Sequence, residues 1–203
     1  MLVAPHVAGV LLAAGAGSRL GQPKATVEMG GEPLAARGVA LLRGGGAEPI
    51  VIVTGAVAVY LPGVLIVHNP DWRTGMGSSL AAGLATVPDD CGAAVVALVD
   101  QPLVGPGAVR RLIAAYRAGA GVAVAAYGGV LRNPVLLARE HWPAVTALAV
   151  GDTGARPFIR AHPDLVTPVE CGDTGSADDV DTRADLERIA RLAGPGGVGQ
   201  RQG

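Results

Sequence analysis

Short apolar runs alternate with segments of helical periodicity along most of this chain, and that alternation limits the fold more than any other feature. The apolar runs span residues 7–14, 49–54, 64–67, 93–99 and 122–126. Between them, leucine and valine recur at the spacing of one helix face, for example after Pro33 and Pro106. Strands that alternate with helices favour an α/β fold in which a mostly parallel sheet is covered on both faces.

The composition bounds the size and the surroundings of the protein. The chain has 203 residues, half of them hydrophobic, which suffices for one α/β domain over residues 1–193. Residues 194–203 are mostly small or polar, and we expect a disordered tail there. A formal net charge of -1 argues against a nucleic acid polymer or an anionic membrane as partner. No apolar run approaches a membrane span, and the N-terminus has no basic region like that of a signal peptide, so we expect a cytoplasmic protein.

A glycine-rich turn follows the first apolar run and carries two cations. Gly15 and Gly17 allow backbone N–H groups to approach an anion, and Arg19 and Lys24 follow them. Lys24 is the only lysine in the chain, and a compact ammonium suits a phosphate that moves during a reaction. The spacing fits neither a Walker A loop nor a dinucleotide fingerprint. A tight turn with solvated cations is therefore the alternative interpretation.

Carboxylates form the second candidate cluster. In a parallel sheet, the carboxyl ends of the strands share one edge, so Thr54 and Asp100 should lie near the glycine turn. Asp181 precedes the last predicted helix, and together with Asp100 it offers the oxygen ligands that Mg²⁺ prefers. The alternative is that Asp100 caps a turn and that Asp181 belongs to an acidic helix start. Ser78 and Ser79 at another helix start either cap that helix or bind a base or sugar.

Five stretches in order resemble one family. They are residues 12–24 (LAAGAGSRLGQPK), 75–84 (GMGSSLAAGL), 99–104 (VDQPLV), 151–156 (GDTGAR) and 179–186 (DVDTRADL). They are similar to the motifs of MobA/MocA-like molybdenum cofactor nucleotidyltransferases, a GT-A-like group, and most similar to the cytidylyltransferase branch. The resemblance covers about residues 7–193. It implies a three-layer, Rossmann-like nucleotidyltransferase fold.

The resemblance also implies a reaction and a set of site residues. The phosphate of molybdopterin attacks the α-phosphorus of a nucleoside triphosphate, and pyrophosphate leaves, with Mg²⁺ as the cofactor. A molybdenum hydroxylase or an insertion chaperone would be the protein partner. The implied catalytic residues are Arg19, Lys24 and Asp100; the metal ligands are Asp100 and Asp181; the nucleotide-binding residues are Leu12, Ala13, Ala14, Gly15, Gly17, Lys24, Thr54, Ser78, Ser79 and Asp100; the acceptor-binding residues are Gln101, Pro102 and Asn133.

Two positions bear on the substrates. Family members with L-A-G-G resemble GTP users, and those with L-A-A-G resemble CTP users, so Ala14 favours CTP over GTP. Asn133 stands where the family commonly has histidine, which leaves the acceptor open. Another small phosphate, such as a sugar phosphate, is one alternative, and a non-catalytic nucleotide-binding partner in cofactor insertion is another. A Rossmann-type oxidoreductase is disfavoured by the glycine spacing and by the lack of an acidic residue after the second strand.

Overall fold

The computed structural model describes residues 6–193 and has one large sheet at its centre. The predicted tail at 194–203 lies outside the described residues. In chain order the strands and α-helices are β1 (His6–Leu12), β2 (Glu28–Met29), β3 (Glu32–Pro33), α1 (Leu34–Gly44), β4 (Ile50–Thr54), β5 (Leu65–His68), α2 (Met76–Thr86), β6 (Cys91–Leu98), α3 (Pro106–Arg117), β7 (Val122–Tyr127), β8 (Val130–Ala138), α4 (Trp142–Leu148), α5 (Arg156–Ala161), β9 (Val166–Glu170) and α6 (Arg183–Ala193).

Seven strands form the sheet in the order β5-β4-β1-β6-β8-β7-β9, and only β8 runs against its neighbours. Side chains of β1 alternate between the two faces. Val7 and Leu11 pack on the side of α1, α3 and α6, whereas Val10 and Leu12 pack on the side of α2, α4 and α5. The result is the three-layer α/β fold with a mostly parallel sheet that the sequence predicts.

The segment after β7 departs from the sequence prediction. The break in the strand–helix rhythm after residue 128 suggests a block that packs over the sheet edge, but β8 lies inside the sheet between β6 and β7. Gly128 and Gly129, both with positive φ, make a tight hairpin between β7 and β8. The apolar half of β8 is fully covered by both layers, while its first three residues are exposed. These exposed residues, Val130 to Arg132, extend towards the site described below.

A capping box between residues three apart sets the start of α6. Thr182 Oγ1 accepts a hydrogen bond from the N–H of Asp185 (3.2 Å), and Asp185 Oδ2 accepts one from the N–H of Thr182 (2.9 Å). Hydrogen bonds from Thr182 lower the pKa of Asp185. This reciprocal cap fixes where α6 begins, and therefore where Asp181 lies. Over residues 6–193, no helix is both long and apolar enough to cross a membrane, and Cys91 and Cys171 are free thiols.

Candidate functional site

The glycine-rich turn after β1 forms a compact loop at the carboxyl edge of the sheet. Gly17 has a φ of 62°, and its carbonyl accepts hydrogen bonds from the N–H groups of Leu20 and Gly21. A Cβ at position 17 would lie 2.0 Å from the carbonyl oxygen of Gln22, so only glycine fits here. The closed loop delivers the chain to Lys24, which begins a single 3₁₀ turn (Lys24–Thr26).

Lys24 joins two carboxylates that lie far apart in the sequence. Its Nζ donates to Asp100 Oδ2 and to Asp181 Oδ1, each at 2.7 Å. Asp181 reaches this position because the N–H of Val180 donates to the carbonyl of Asp100 (2.8 Å) and so ties the segment before α6 to the end of β6. Arg19, which is 71% exposed, approaches Asp181 from outside, with Nη2 and Oδ2 3.1 Å apart. The structure therefore brings together all four charged residues that the sequence singled out.

The environment of Lys24 keeps it charged. Its burial alone would lower the pKa, but the carboxylates of Asp100 and Asp181 outweigh that effect and raise the pKa above its usual value. An ammonium at this position neutralises charge near the two carboxylates. The ammonium group of Lys24 is therefore the cation that joins the two carboxylates of the cluster.

The same carboxylates suit a divalent metal ion. Asp100 Oδ1 is buried and has no hydrogen-bond partner among the described residues, which is the state expected of an atom reserved for a ligand. No group of three or more histidine, cysteine or acidic side chains gathers as a metal site within residues 6–193. Mg²⁺ needs only one or two protein carboxylates when phosphate and water complete its shell. Asp100 and Asp181 would hold such an ion together with substrate oxygens.

A small cavity of about 170 Å³ opens beside Lys24. Of the predicted nucleotide-binding residues, seven line it: Leu12, Ala14, Gly15, Gly17, Lys24, Ser79 and Asp100. Three others do not. Ala13 is buried, Thr54 Oγ1 donates to the carbonyl of Val67 inside the sheet, and Ser78 Oγ donates to a backbone carbonyl in the turn before α2. In this conformation these three residues stabilise the fold and do not line the cavity.

Two further residues that line the cavity are not among the predicted site residues. Trp72 packs against Gly55, where a Cβ would lie 2.6 Å from the ring and 2.8 Å from the carbonyl of Ala14. Asp152 Oδ1 accepts a hydrogen bond from the N–H of Met76 (3.2 Å) and so caps α2. Trp72 is one of two tryptophans in an aromatic-poor chain, and Asp152 lies in a recognised motif, so both had a signal.

The start of α2 is held by close backbone packing. A Cβ on Gly75 would lie 2.3 Å from the backbone of Gly151, and one on Gly77 would lie 1.9 Å from the carbonyl oxygen of Ala149. The segment around Gly151 therefore rests directly on the α2 start. This contact positions Met76 and Asp152 at the edge of the small cavity.

We expect Gly77→Ala to lower the free energy of unfolding by about 3 kcal/mol, because the backbone of Ala149 must move to admit a methyl group. Urea denaturation of the two proteins measures this difference. Ala85→Ser, at an exposed position of the same helix, is the control and should change stability by less than about 1 kcal/mol. Equal unfolding midpoints for wild type and Gly77→Ala would show that the close packing is not required.

A larger cavity of about 680 Å³ adjoins the small one, and Met76 lines both. Two predicted acceptor residues, Gln101 and Asn133, line it, whereas Pro102 does not. Gln101 is nearly buried, and its Nε2 donates to Asp179 Oδ1 (2.9 Å). Burial raises the pKa of Asp179, an effect that Gln101 opposes and that the charges of Asp100 and Asp181 reinforce. Two adjoining cavities, one of them lined by Lys24 and Asp100, suit a reaction between two bound substrates.

Known proteins are similar to this chain over most of its length. The family described as "MobA-like NTP transferase domain" matches residues 9–166. "Nicotine blue oxidoreductase" of Paenarthrobacter nicotinovorans is 40% identical over 91% of this chain and 97% of that protein. A "Probable molybdenum cofactor guanylyltransferase" of Opitutus terrae is 50% identical over 25% of each chain.

A solved structure supports the fold over nearly the whole chain. Rv0371c of Mycobacterium tuberculosis H37Rv superimposes with a TM-score of 0.80 at 26% identity, covering 93% of this chain and all of the other. The same protein has also been solved in complex with manganese, with a TM-score of 0.76 over the same coverage. That complex shows that a neighbour of this fold binds a divalent metal ion.

Proposed function

Because the chain belongs to the MobA-like NTP transferase domain family, we propose that it is a metal-dependent nucleotidyltransferase that transfers CMP from CTP to the phosphate of a molybdopterin-type acceptor. The observation that carries the proposal is the position of Lys24 between Asp100 and Asp181, at a cavity lined by the glycine-rich turn. The family supports a nucleoside triphosphate as substrate. The base, the acceptor and Mg²⁺ as the metal are parts of our proposal.

In the proposed reaction, an oxygen of the acceptor phosphate forms a bond to the α-phosphorus of the nucleotide. The bond between the α-phosphorus and the bridging oxygen breaks, and pyrophosphate leaves with the electron pair. Lys24 and Arg19 bind phosphate oxygens and offset their charge, and the glycine-rich turn offers backbone N–H groups to them. A divalent ion on Asp100 and Asp181 would supply further charge neutralisation and orientation. The chain needs no nucleophile of its own, since both reacting groups are brought by substrates.

Release of pyrophosphate tests this proposal. We expect turnover with purified molybdenum-loaded molybdopterin and Mg²⁺, and faster turnover with CTP than with GTP. Turnover with GTP but not with CTP would show that the proposed base is wrong. Turnover only with a sugar phosphate would show that the proposed acceptor is wrong. Tight binding of both nucleotides without pyrophosphate release would instead favour a non-catalytic binding partner.

Ala14 gives the choice of base a sharper test. Ala14 is almost fully buried at the small cavity, where its methyl group narrows the space for a base. We expect Ala14→Gly to lower the ratio of CTP to GTP turnover at least about tenfold, because one methyl group in a binding pocket is worth roughly 1–3 kcal/mol.

The control for Ala14→Gly is Ala16→Gly, which makes the same change in the same loop at a residue that does not line the cavity. It should leave the ratio unchanged. An equal drop in both variants would assign the effect to loop flexibility instead of to the pocket.

A redox activity is the second candidate, and one observation favours it: the relative that matches over 97% of its own length is named an oxidoreductase. A change in the absorbance of nicotine blue, with NADH or NADPH supplied as a trial electron donor, tests this candidate in the same protein preparation. Turnover of nicotine blue without pyrophosphate release would replace the transferase proposal.

A further inference from the structure

The larger cavity holds positive charge that the proposed acceptor residues do not explain. Arg132 of β8 and both Arg156 and Arg160 of α5 line it. None of the three guanidinium groups forms an ion pair or donates a hydrogen bond within residues 6–193, whereas Arg111 holds Asp173 through two bonds of 2.6 and 2.7 Å. Guanidinium groups without partners in a concave site are well suited to bind anions.

The two arginines of α5 lie at different distances from the reaction centre. Gly154 touches the residue shared by the two cavities, since a Cβ there would lie 3.0 Å from Met76 Sδ. Arg156 follows two residues later, and Arg160 lies one helical turn beyond it on the same face, about 6 Å away. Arg156 is therefore the nearer of the two along the chain to the residue that both cavities share. Arg160 is available to a different group of the same molecule.

The wall of the larger cavity is divided by charge. Asp178 and Asp179 also line it, but Ser176 Oγ donates to Asp178 Oδ2 and Gln101 donates to Asp179 Oδ1. These carboxylates belong to the segment that carries Asp181, so they lie on the side of the Lys24 cluster. The arginines come from β8 and α5 instead. We expect a ligand whose phosphate reaches the small cavity, which Lys24 lines, to meet the arginines with its other end.

Apolar side chains and a tyrosine hydroxyl line the larger cavity together with the arginines. Val130 and Leu131 are 50% and 39% exposed and form a small apolar surface on the wall of the cavity. The hydroxyl of Tyr127 is buried and has no hydrogen-bond partner among the described residues. Burial raises the pKa of Tyr127, so this hydroxyl stays a neutral donor. The lining suits an apolar or aromatic body next to an acidic group.

We propose that the acceptor is an organic phosphate with a second anionic group, and that Arg160 and Arg132 bind this second group across an apolar wall. The proposal rests on the proposed function, because it takes the larger cavity as the acceptor site. It assigns substrate specificity to two residues that lie outside the nucleotide site. A cavity of about 680 Å³ has room for a ligand of this kind.

A matched pair of probes tests the second anion. Phenyl phosphate and 4-carboxyphenyl phosphate share one aromatic body and differ by one carboxylate at the far end. We expect calorimetry to show that the purified protein binds 4-carboxyphenyl phosphate at least about tenfold more tightly, since its far carboxylate can accept charge-assisted hydrogen bonds from a guanidinium group. Binding of a CTP analogue with a methylene bridge between its α- and β-phosphorus is measured separately.

Variants that remove one positive charge show whether Arg160 and Arg132 cause the preference for 4-carboxyphenyl phosphate. Arg160→Gln and Arg132→Gln should each reduce the tenfold preference to about threefold or less, while binding of phenyl phosphate and of the CTP analogue stays as in wild type. The control is Arg117→Gln. Arg117 is exposed on α3 and has no ion-pair partner among the described residues, so this variant should keep the full preference. An equal affinity for both probes, no binding of either, or a preference that persists in both variants would overturn the inference. If the wild-type protein does not bind the CTP analogue, the proposed function is overturned instead.

Discussion

Lys24→Met should lower nucleotidyl transfer by at least about 100-fold, the loss typical when one preorganised group that stabilises developing charge is removed. Lys24 Nζ lies 2.7 Å from both Asp100 Oδ2 and Asp181 Oδ1, so the variant leaves Asp100 without its cation and Asp181 with Arg19 alone. We expect the free energy of unfolding to fall by about 1–2 kcal/mol, less than for a fully buried pair because all three side chains retain some exposure. Steady-state pyrophosphate release and urea denaturation measure the two effects.

Arg43→Met is the control for this change. Arg43 pairs with Glu48 at 3.0 Å on the surface, so its loss removes an ion pair without touching the site. Its turnover should remain within about twofold of wild type. Turnover of Lys24→Met at the wild-type level would remove Lys24 from the mechanism.

The second large effect is expected for Asp100→Asn, which keeps the shape of the side chain and removes its charge. The buried, unpartnered Oδ1 of Asp100 is the atom that we expect to contact the metal ion. An amide is a poor ligand for Mg²⁺ or Mn²⁺ in place of a carboxylate. We expect turnover to fall by about 100-fold or more, and calorimetric binding of Mn²⁺ in the presence of the CTP analogue to become undetectable.

Asp89→Asn is the matched control, because Asp89 is fully exposed and lies outside both cavities. It should bind Mn²⁺ as the wild type does. Mn²⁺ binding by Asp100→Asn with the wild-type affinity would show that Asp100 is not a metal ligand, whatever happens to its activity.

Much of this site could be predicted from the sequence because a parallel sheet gathers strand ends at one edge. The glycine turn follows β1 and Asp100 follows β6, and these strands are neighbours, so their approach needs no knowledge of side-chain packing. The approach of Asp181 does not follow from the strand order, because it depends on the backbone hydrogen bond between Val180 and Asp100. The reciprocal cap at Thr182 involves only residues three apart, so it is a local feature of the chain.

Other parts could not be predicted, because they depend on contacts between distant segments. The insertion of β8 into the sheet is set by its pairing with both β6 and β7. Thr54 is the last residue of its strand as expected, but its hydroxyl donates to the carbonyl of Val67 in the adjacent strand. Asp152 reaches α2 only because the segment around Gly151 packs on Gly75, 76 residues earlier.

The central claim is that a nucleoside monophosphate passes to an acceptor phosphate at the Lys24 cluster, and the fate of two labels tests it most directly. With CTP labelled at the α-phosphorus and molybdenum-loaded molybdopterin, the label should appear in an acceptor product that contains a diphosphate bridge. With CTP labelled at the γ-phosphorus, it should appear in pyrophosphate at the same rate. Release of the α-label as free CMP, or of the γ-label as inorganic phosphate, would show hydrolysis instead of transfer and would contradict this account.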